Sequence, residues 1–315
     1  QAMLTPQESY PKLTKALSVP SVILKREDLH PYGSHKGRSI PYMIDKYIKQ
    51  GYSDFVISSS GNAALAAAHA INEYNHTPLR QGYGGVPHSP SAKGKQITLK
   101  IFVGQNIEKE KLKTLKEIAT DKNITINQVK RPKQSAFQLE KTTPHHKGAG
   151  LKNLRQSTDD LALTGYKSLA DELSEIRNLQ AIFIPTSSGT TAQALGNLFS
   201  KLNLNPQIHI IQTCACPVIS SEFDTNYYAC DASLAEAIVD NVAHRKEKVV
   251  EAIKNSDGFG WIVSDEEIKK AITLVKETTG IDISGNSALS IAGLIKAVKN
   301  DWKFDGAVVC LITGK

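Results

Sequence analysis

Short apolar runs alternate along the chain with longer segments whose apolar residues recur at helical spacing. Runs of this kind predict buried strands, and they lie at 22–25, 55–57, 99–103, 181–184, 208–211 and 307–312. Segments of helical period lie at 63–71, 108–119, 168–176, 191–199, 265–278 and 287–298. Alternating strands and helices predict an α/β fold with parallel sheets covered on both faces, and ligands in such folds bind beyond the carboxyl ends of the strands.

Composition narrows the class of protein. The 315 residues are 40% hydrophobic and 22% charged, which is typical of a folded globular chain. This length predicts about two domains or lobes, and 13 prolines and 21 glycines are too few for a collagen or a low-complexity chain. The stretch 74–98 is rich in glycine and proline, which predicts a long surface excursion within the first lobe.

Charge and cysteine usage exclude several kinds of partner. The net charge of +7 is spread along the chain, and no nucleic-acid signature accompanies it. The spacing of the cysteines does not match that of a zinc site. It predicts free thiols in a reducing compartment, with Cys214 and Cys216 at packing positions. No signal-peptide pattern and no membrane-length apolar run is visible. We therefore expect a cytoplasmic enzyme or binding protein without a metal, nucleic-acid or membrane partner.

Three separated segments combine glycine with small hydroxyl residues where a strand ends or a helix begins. The clearest is 184–191, which reads Ile-Pro-Thr-Ser-Ser-Gly-Thr-Thr. Free amides at a helix N-terminus, with small side chains around them, suit a bound phosphate. The segment matches neither the P-loop nor the dinucleotide motif. An ordinary capped turn between strand and helix is the alternative.

The other two segments carry an amide and an amine. Segment 58–64 reads Ser-Ser-Ser-Gly-Asn-Ala-Ala; it can bind a carboxylate, and Asn62 can face a phenolic or carbonyl oxygen, although a turn with a helix cap would look the same. Lys36 follows a Gly-Ser turn, where its amine could form an imine with an electrophile. A solvent-facing lysine is the alternative.

The segments 33–36 (Gly-Ser-His-Lys), 59–62 (Ser-Ser-Gly-Asn) and 187–191 (Ser-Ser-Gly-Thr-Thr) resemble, in that order, the three cofactor segments of fold-type II pyridoxal-phosphate (PLP) enzymes. This is the superfamily of tryptophan synthase β, cysteine synthase and threonine synthase. The resemblance covers about 20–315, and it includes 165–173 and the Thr313-Gly314 pair. In the C-terminal third, the helix 287–294 most resembles that of threonine synthase.

The resemblance implies a role for each matching position. Lys36 would form the Schiff base with PLP and then move protons at Cα and Cβ. Asn62 would bond the pyridoxal 3′-oxygen, and Thr313 would bond the pyridine nitrogen as a neutral hydroxyl, which favours elimination and replacement over transamination. The residues that would hold the phosphate are Ser187, Ser188, Gly189, Thr190 and Thr191. Those that would bind the substrate carboxylate are Ser59, Ser60 and Gly61, with Ser34 as a further substrate-binding residue.

The resemblance also implies the organisation of the fold. We expect two lobes, each a mostly parallel twisted sheet flanked by helices, like tryptophan synthase β. Residues 1–38 and 146–315 would form the large PLP-binding domain, and 39–145 would form a small mobile domain. Closure of the small domain over an amino-acid carboxylate would exclude water from the reaction. The oligomeric state stays open, with a homodimer as one expectation.

The expected function is that of a PLP-dependent lyase that eliminates or replaces a group at Cβ or Cγ of an amino acid. The first hypothesis is threonine synthase, which converts phosphohomoserine and water to threonine and phosphate. A serine/threonine ammonia-lyase is the alternative. A noncatalytic PLP-binding protein is a third, because Gly37 stands where threonine synthases usually carry an acid. Phosphohomoserine carries a phosphate in addition to that of the cofactor, and this second phosphate needs a cationic pocket. The candidates for this pocket are Arg38, Lys152, Lys167 and His88. For Arg38, an ion pair on the helix surface is the commoner role.

Overall fold

The computed structural model describes residues 4–76, 96–143 and 150–314. The chain forms two compact units. Within the described residues, the first unit comprises Pro31–Gly165, and the second comprises Leu4–His30 and the chain from Tyr166 onward. The predicted domain boundaries after 38 and before 146, and the mobility of the smaller domain, stay predictions.

The elements alternate in type along most of the chain. In chain order they are β1 (Gln7–Ser9), α1 (Pro11–Leu17), β2 (Ser21–Arg26), α2 (Lys36–Lys49), β3 (Asp54–Ser58), α3 (Asn62–His76), β4 (Thr98–Gly104), α4 (Lys109–Ile118), β5 (Ile124–Val129), α5 (Pro132–Thr142), β6 (Leu151–Asn153), α6 (Leu161–Thr164), α7 (Lys167–Ser174), β7 (Leu179–Pro185), α8 (Thr190–Lys201), β8 (Gln207–Thr213), α9 (Lys246–Asn255), β9 (Phe259–Val263), α10 (Asp265–Thr279), α11 (Gly285–Lys299) and β10 (Ala307–Ile312). Short 3₁₀ turns lie at Glu27–Leu29 and Ser220–Glu222.

The first unit is built on a four-stranded parallel sheet in the order β5–β4–β3–β6. Its core joins the apolar faces of α2 and α3 to β3 and β4. Alanines make up most of the buried face of α3, and their small side chains allow a helix to approach its neighbours closely. This packing places the N-termini of α2 and α3, where two of the predicted segments lie, in one unit.

The second unit is built on a six-stranded sheet in the order β1–β2–β10–β7–β8–β9. Only the edge strand β1 is antiparallel; the other neighbours pair in parallel. Every residue of the central strand β10 is buried, as expected for a strand covered on both faces. The helix α11 packs closely on the sheet, because a Cβ at Gly293 would lie 2.3 Å from Ile211 Cγ1.

A buried polar cluster attaches the N-terminal segment to the second unit. Lys25 is fully buried and forms an ion pair with Glu172, and its Nζ also donates to the Thr5 carbonyl at 2.9 Å and to Gln7 Oε1 at 3.2 Å. The Thr5 hydroxyl donates to Glu27 Oε1 at 2.5 Å. Each partner compensates the desolvation of the others.

The predicted α/β class with two sheets flanked by helices is confirmed, and each predicted strand and helix is present with its ends shifted by a few residues. The elements that the sequence patterns did not predict are β1, α1, α2, β5, α5, β6, α6, α9 and β9. The predicted surface excursion is wrong at both ends, since Tyr74 to His76 continue α3 and Thr98 begins β4. Residues 77–95, which include His88, lie outside the described part of the chain, as does the pair His145-His146.

The expectation for the cysteines is wrong in one respect. Cys214 forms a disulfide with Cys230, whereas Cys216 and Cys310 are buried thiols that form no disulfide. Such a bond is more typical of an oxidising compartment than of a reducing one. Across the described ranges, no helix is both long and apolar enough to cross a membrane.

Candidate active site

The second unit contains the turn predicted to hold a phosphate, defined here as residues 187–191. The strand β7 ends at Pro185, and α8 begins at Thr190 with Gly189 as its N-cap in the left-handed conformation, at φ +86°. The amides of the first helical turn have no intrahelical acceptor and carry partial positive charge. The Ser188 and Thr190 hydroxyls lie 3.0 Å apart beside them. Hydroxyl and amide donors therefore converge at the start of α8.

Thr313 follows the carboxyl end of a strand in the same sheet as this turn. β10 and β7 are parallel neighbours with Cys310 opposite Phe183. Thr313 directly follows β10, and the 187–191 turn follows β7, so both come after the carboxyl ends of these strands. Thr313 is 6% exposed. The fold thus brings together two predicted site segments that are far apart in sequence, at the carboxyl ends of parallel strands.

Contacts around Ser187 show a role that the sequence did not predict. The Ser187 hydroxyl accepts hydrogen bonds from the Val239 and Asp240 amides, each at 3.3 Å, and it contacts Asp240 Oδ2 at 3.4 Å. Its side chain therefore binds the 239–240 segment. Because the Ser187 hydroxyl already has these partners, its predicted role in binding the phosphate depends on its backbone and not on its hydroxyl.

Behind the turn, buried side chains connect it to the rest of the unit. Arg245 is 6% exposed and donates to Gln193 Oε1 at 2.9 Å, one turn into α8. Gln212 is fully buried and donates to the Ser187 carbonyl at 3.4 Å. Neither residue carries a motif signal, because a lone glutamine in an apolar strand and a lone arginine in a polar loop are common in any chain.

The first unit contains Lys36 and the segment 59–62. Lys36 is the first residue of α2 and is half-buried. Ser34 is buried; its hydroxyl accepts from the Lys36 amide at 3.3 Å, and its carbonyl accepts from the Gly37 amide at 3.0 Å. Gly33 precedes it at φ +71°, a conformation that favours glycine. These contacts fix the backbone position from which the Lys36 side chain extends.

The segment 59–62 forms a second turn before a helix. The Ser59 hydroxyl accepts from the Gly61 amide at 3.2 Å, and the Gly61 carbonyl accepts from the Ala64 amide at 2.9 Å. Asn62 is the first residue of α3, and Ser60 is exposed. A Cβ at Gly61 would meet no atom within 4 Å. The turn therefore leaves open space beside the Cα of Gly61, directly before α3 begins.

The cationic candidates for a second phosphate differ in their surroundings. Arg38 is 3% exposed, so the surface position expected for it is wrong. Lys152 lies 4.7 Å from the Tyr47 ring centre and 3.9 Å from Glu140 Oε1.

Lys152 also lines a cavity of about 320 Å³ in the first unit. Burial, and then a hydrogen bond to Asp159, raise the pKa of Tyr47 in this cavity well above its ordinary value. The exposed Lys167 pairs with Asp171 at 2.6 Å. Both lysines thus have acidic partners.

Comparison with known proteins gives the family. The sequence profile of the pyridoxal-phosphate dependent enzyme family matches residues 3–79 and 89–314. The chain belongs to this family. Its cofactor is pyridoxal 5′-phosphate, as the three segments implied. Threonine synthase of Methanocaldococcus jannaschii is 26% identical over an alignment of 327 positions, which covers 98% of this chain and 74% of the relative.

Two further likenesses complete this picture. Human L-serine dehydratase/L-threonine deaminase is 45% identical over 53 residues, which cover 17% of this chain and 16% of the relative. The crystal structure of serine racemase from Dictyostelium discoideum superposes with a TM-score of 0.75 at 19% identity, covering 99% of this chain and 92% of the other. The expected fold of the fold-type II PLP enzymes is confirmed.

The residues present fit this cofactor by their donor chemistry. A phosphate needs amide and hydroxyl donors, which the 187–191 turn supplies at a helix N-terminus. A pyridine nitrogen facing a hydroxyl matches Thr313 at the neighbouring strand end. Lys36 supplies an amine and Asn62 an amide, each at the start of a helix of the first unit. The individual roles of these residues stay predictions.

Proposed function

We propose that this enzyme is a lyase that eliminates or replaces a group at Cβ or Cγ of an amino acid, and that its reaction is that of threonine synthase. Phosphohomoserine and water would give threonine and phosphate. The observation that best supports this substrate is the match to the Methanocaldococcus jannaschii threonine synthase along 98% of this chain. The small polar donors at both helix starts suit an anionic amino-acid substrate as well as the cofactor.

Lys36 is the residue proposed to hold the cofactor and to move protons. Bound PLP supplies an electron sink that stabilises negative charge at the substrate Cα. The Lys36 amine would remove the proton at Cα and return a proton to the substrate, as a general base that becomes a general acid. The Ser34 contacts to the Lys36 and Gly37 amides orient the start of α2 for this task.

Two sets of polar groups would position the reactants. The Ser59 and Ser60 hydroxyls and the first amides of α3 would bind the substrate carboxylate, which a helix N-terminus stabilises. The 187–191 turn would bind the cofactor phosphate, and the Thr313 hydroxyl would form a hydrogen bond with the pyridine nitrogen. A hydroxyl leaves that nitrogen unprotonated, which favours elimination and replacement over transamination.

A serine/threonine ammonia-lyase is the second candidate, and two observations favour it. The human L-serine dehydratase/L-threonine deaminase is 45% identical over its 53 matching residues, a higher local identity than that of the threonine synthase relative. Lys167 and Lys152, two candidates for the second phosphate, already contact Asp171 and Glu140. A β-elimination of water needs no second phosphate pocket.

Steady-state assays separate these candidates. Release of phosphate together with threonine from phosphohomoserine supports threonine synthase, whereas 2-oxobutyrate formed from threonine supports the ammonia-lyase. A visible imine band that no amino acid shifts would instead support a noncatalytic PLP-binding protein.

Borohydride reduction of the holoenzyme followed by peptide mapping tests the lysine. We expect the label on Lys36, and a Lys36→Ala protein that keeps the imine band would contradict the assignment. The cytoplasmic compartment, the homodimer and the mobile domain 39–145 also stay proposals.

A further inference from the structure

Gln212 connects the loops that follow two neighbouring strands. It lies near the end of β8, and its side chain is fully buried. Its Oε1 accepts from the Ile219 amide at 2.7 Å and from the Ser220 amide at 2.8 Å, while its Nε2 donates to the Ser187 carbonyl at 3.4 Å. One carboxamide therefore joins the 187–191 turn after β7 to the chain after β8.

The bond from the Ile219 amide to Gln212 also holds the Ile219 side chain beside the turn. A Cβ at Gly189 would lie 3.3 Å from Ile219 Cδ1 and 2.6 Å from Val249 Cγ2. Ile219 and Val249 are both fully buried. Gln212 thus restrains the turn in two ways, through the Ser187 carbonyl and through the position of Ile219.

We propose that Gln212 is a positioning residue for the cofactor phosphate, acting through the 187–191 turn and not by contact with the phosphate. The inference rests on the proposed role of that turn. With the Ser187 carbonyl held on the inner side, the amides at the start of α8 stay directed toward the ligand. If only a fraction of the molecules has the turn in this conformation, the apparent affinity falls by that fraction.

A second glutamine at the other end of the strands offers a control position. Gln180 of β7 also accepts two consecutive amides through Oε1, those of Asp305 at 2.6 Å and Gly306 at 2.7 Å. These amides lie before β10, at the amino ends of the strands, away from the phosphate turn. Gln180 is half-buried and Gln212 is fully buried, so urea unfolding of each variant measures its structural cost separately from its effect on the cofactor. A positioning role predicts an effect on the cofactor only for Gln212.

The experiment compares Gln212→Glu with Gln180→Glu. A glutamate keeps the accepting oxygen but replaces the Nε2 donor with an oxygen that repels the Ser187 carbonyl. We expect the PLP dissociation constant of the apoenzyme, followed by absorbance, to rise at least about tenfold for Gln212→Glu and less than about threefold for Gln180→Glu. The ³¹P signal of the bound phosphate should shift, and amide exchange of the 187–191 turn should accelerate, only in Gln212→Glu.

Two further variants separate the possible failures. Thr190→Val removes a hydroxyl of the turn itself, so PLP affinity unchanged by Thr190→Val and Gln212→Glu alike would refute the proposed phosphate turn. Weaker PLP binding in Thr190→Val with normal binding and an unshifted ³¹P signal in Gln212→Glu would overturn the role of Gln212 alone. If Gln212→Glu does not fold, Gln212→Met, of similar length and without charge, replaces it with the same expected results.

Discussion

A single methyl group at Gly189 tests how tightly the turn at the start of α8 is enclosed. Its φ of +86° is in the left-handed region, and a Cβ there would lie 2.6 Å from Val249 Cγ2. Val249 is fully buried on α9, where a β-branched side chain has one strongly preferred rotamer. Gly189→Ala therefore combines backbone strain with overpacking.

Gly280→Ala isolates the backbone part of this cost. Gly280 ends α10 at φ +76°, and a Cβ there would meet no atom within 4 Å. An alanine in the left-handed conformation costs about 1–2 kcal/mol, which is the loss expected for Gly280→Ala. Overpacking of a buried site adds about 1–3 kcal/mol. Gly189→Ala should therefore lower the free energy of unfolding by about 2–5 kcal/mol.

Urea unfolding followed by circular dichroism measures both losses. Equal losses for the two alanine variants would refute the argument that Val249 encloses the turn. In the double variant Gly189→Ala/Val249→Ala the new methyl group has room, so its loss should be smaller than the sum of the two single losses. Additive losses would contradict the same argument.

Three further predictions concern stability. Reducing the Cys214–Cys230 disulfide with a dithiol should lower the urea midpoint, since closing a loop of about 15 residues contributes about 3 kcal/mol. Burial lowers the pKa of His209 to about 3, whereas its pKa in the unfolded chain is near 6.5. Between pH 7 and pH 5 the unfolded state therefore gains a proton that the folded state does not, and the free energy of unfolding should fall by about 2 kcal/mol. Lys25→Met leaves the Glu172 carboxylate buried without its cation and should cost about 3–5 kcal/mol in urea unfolding.

Each of these predictions has a control. Cys230→Ser should remove the response to the dithiol, and a response that persists would assign it to another group. His209→Gln should flatten the pH dependence between pH 7 and pH 5, and an unchanged slope would place the proton elsewhere. Lys25→Met combined with Glu172→Gln should recover part of the loss, because no unpaired charge then stays buried; no recovery would mean that the ion pair is not the source.

The predictability of the elements follows from how locally each is specified. Strands such as β7 and β10 are buried on both faces, so they need continuous apolar runs that are visible in the sequence. The sequence pattern did not predict the helix α2, because Pro41 lies inside it and interrupts the helical spacing. It did not predict the strand β9, because the five residues of β9 include Gly260, which weakens a strand pattern.

The sequence by itself determined the parallel α/β class, the family and the three segments expected to hold the cofactor. A phosphate or carboxylate site at a helix start needs glycine and small hydroxyl residues in consecutive positions, and this local requirement is legible along the chain. Lys36, Asn62 and the 187–191 turn could be singled out for that reason.

Only the tertiary structure decided which distant residues support these segments. Gln212 and Asp240 contact Ser187 across 25 and 53 positions of the chain, and the pairing of Cys214 with Cys230 depends on the path of the loop between them. A buried glutamine in an apolar strand has the same local sequence whatever it contacts. Its partners are set by strand order and register, which arise from the packing of the whole sheet.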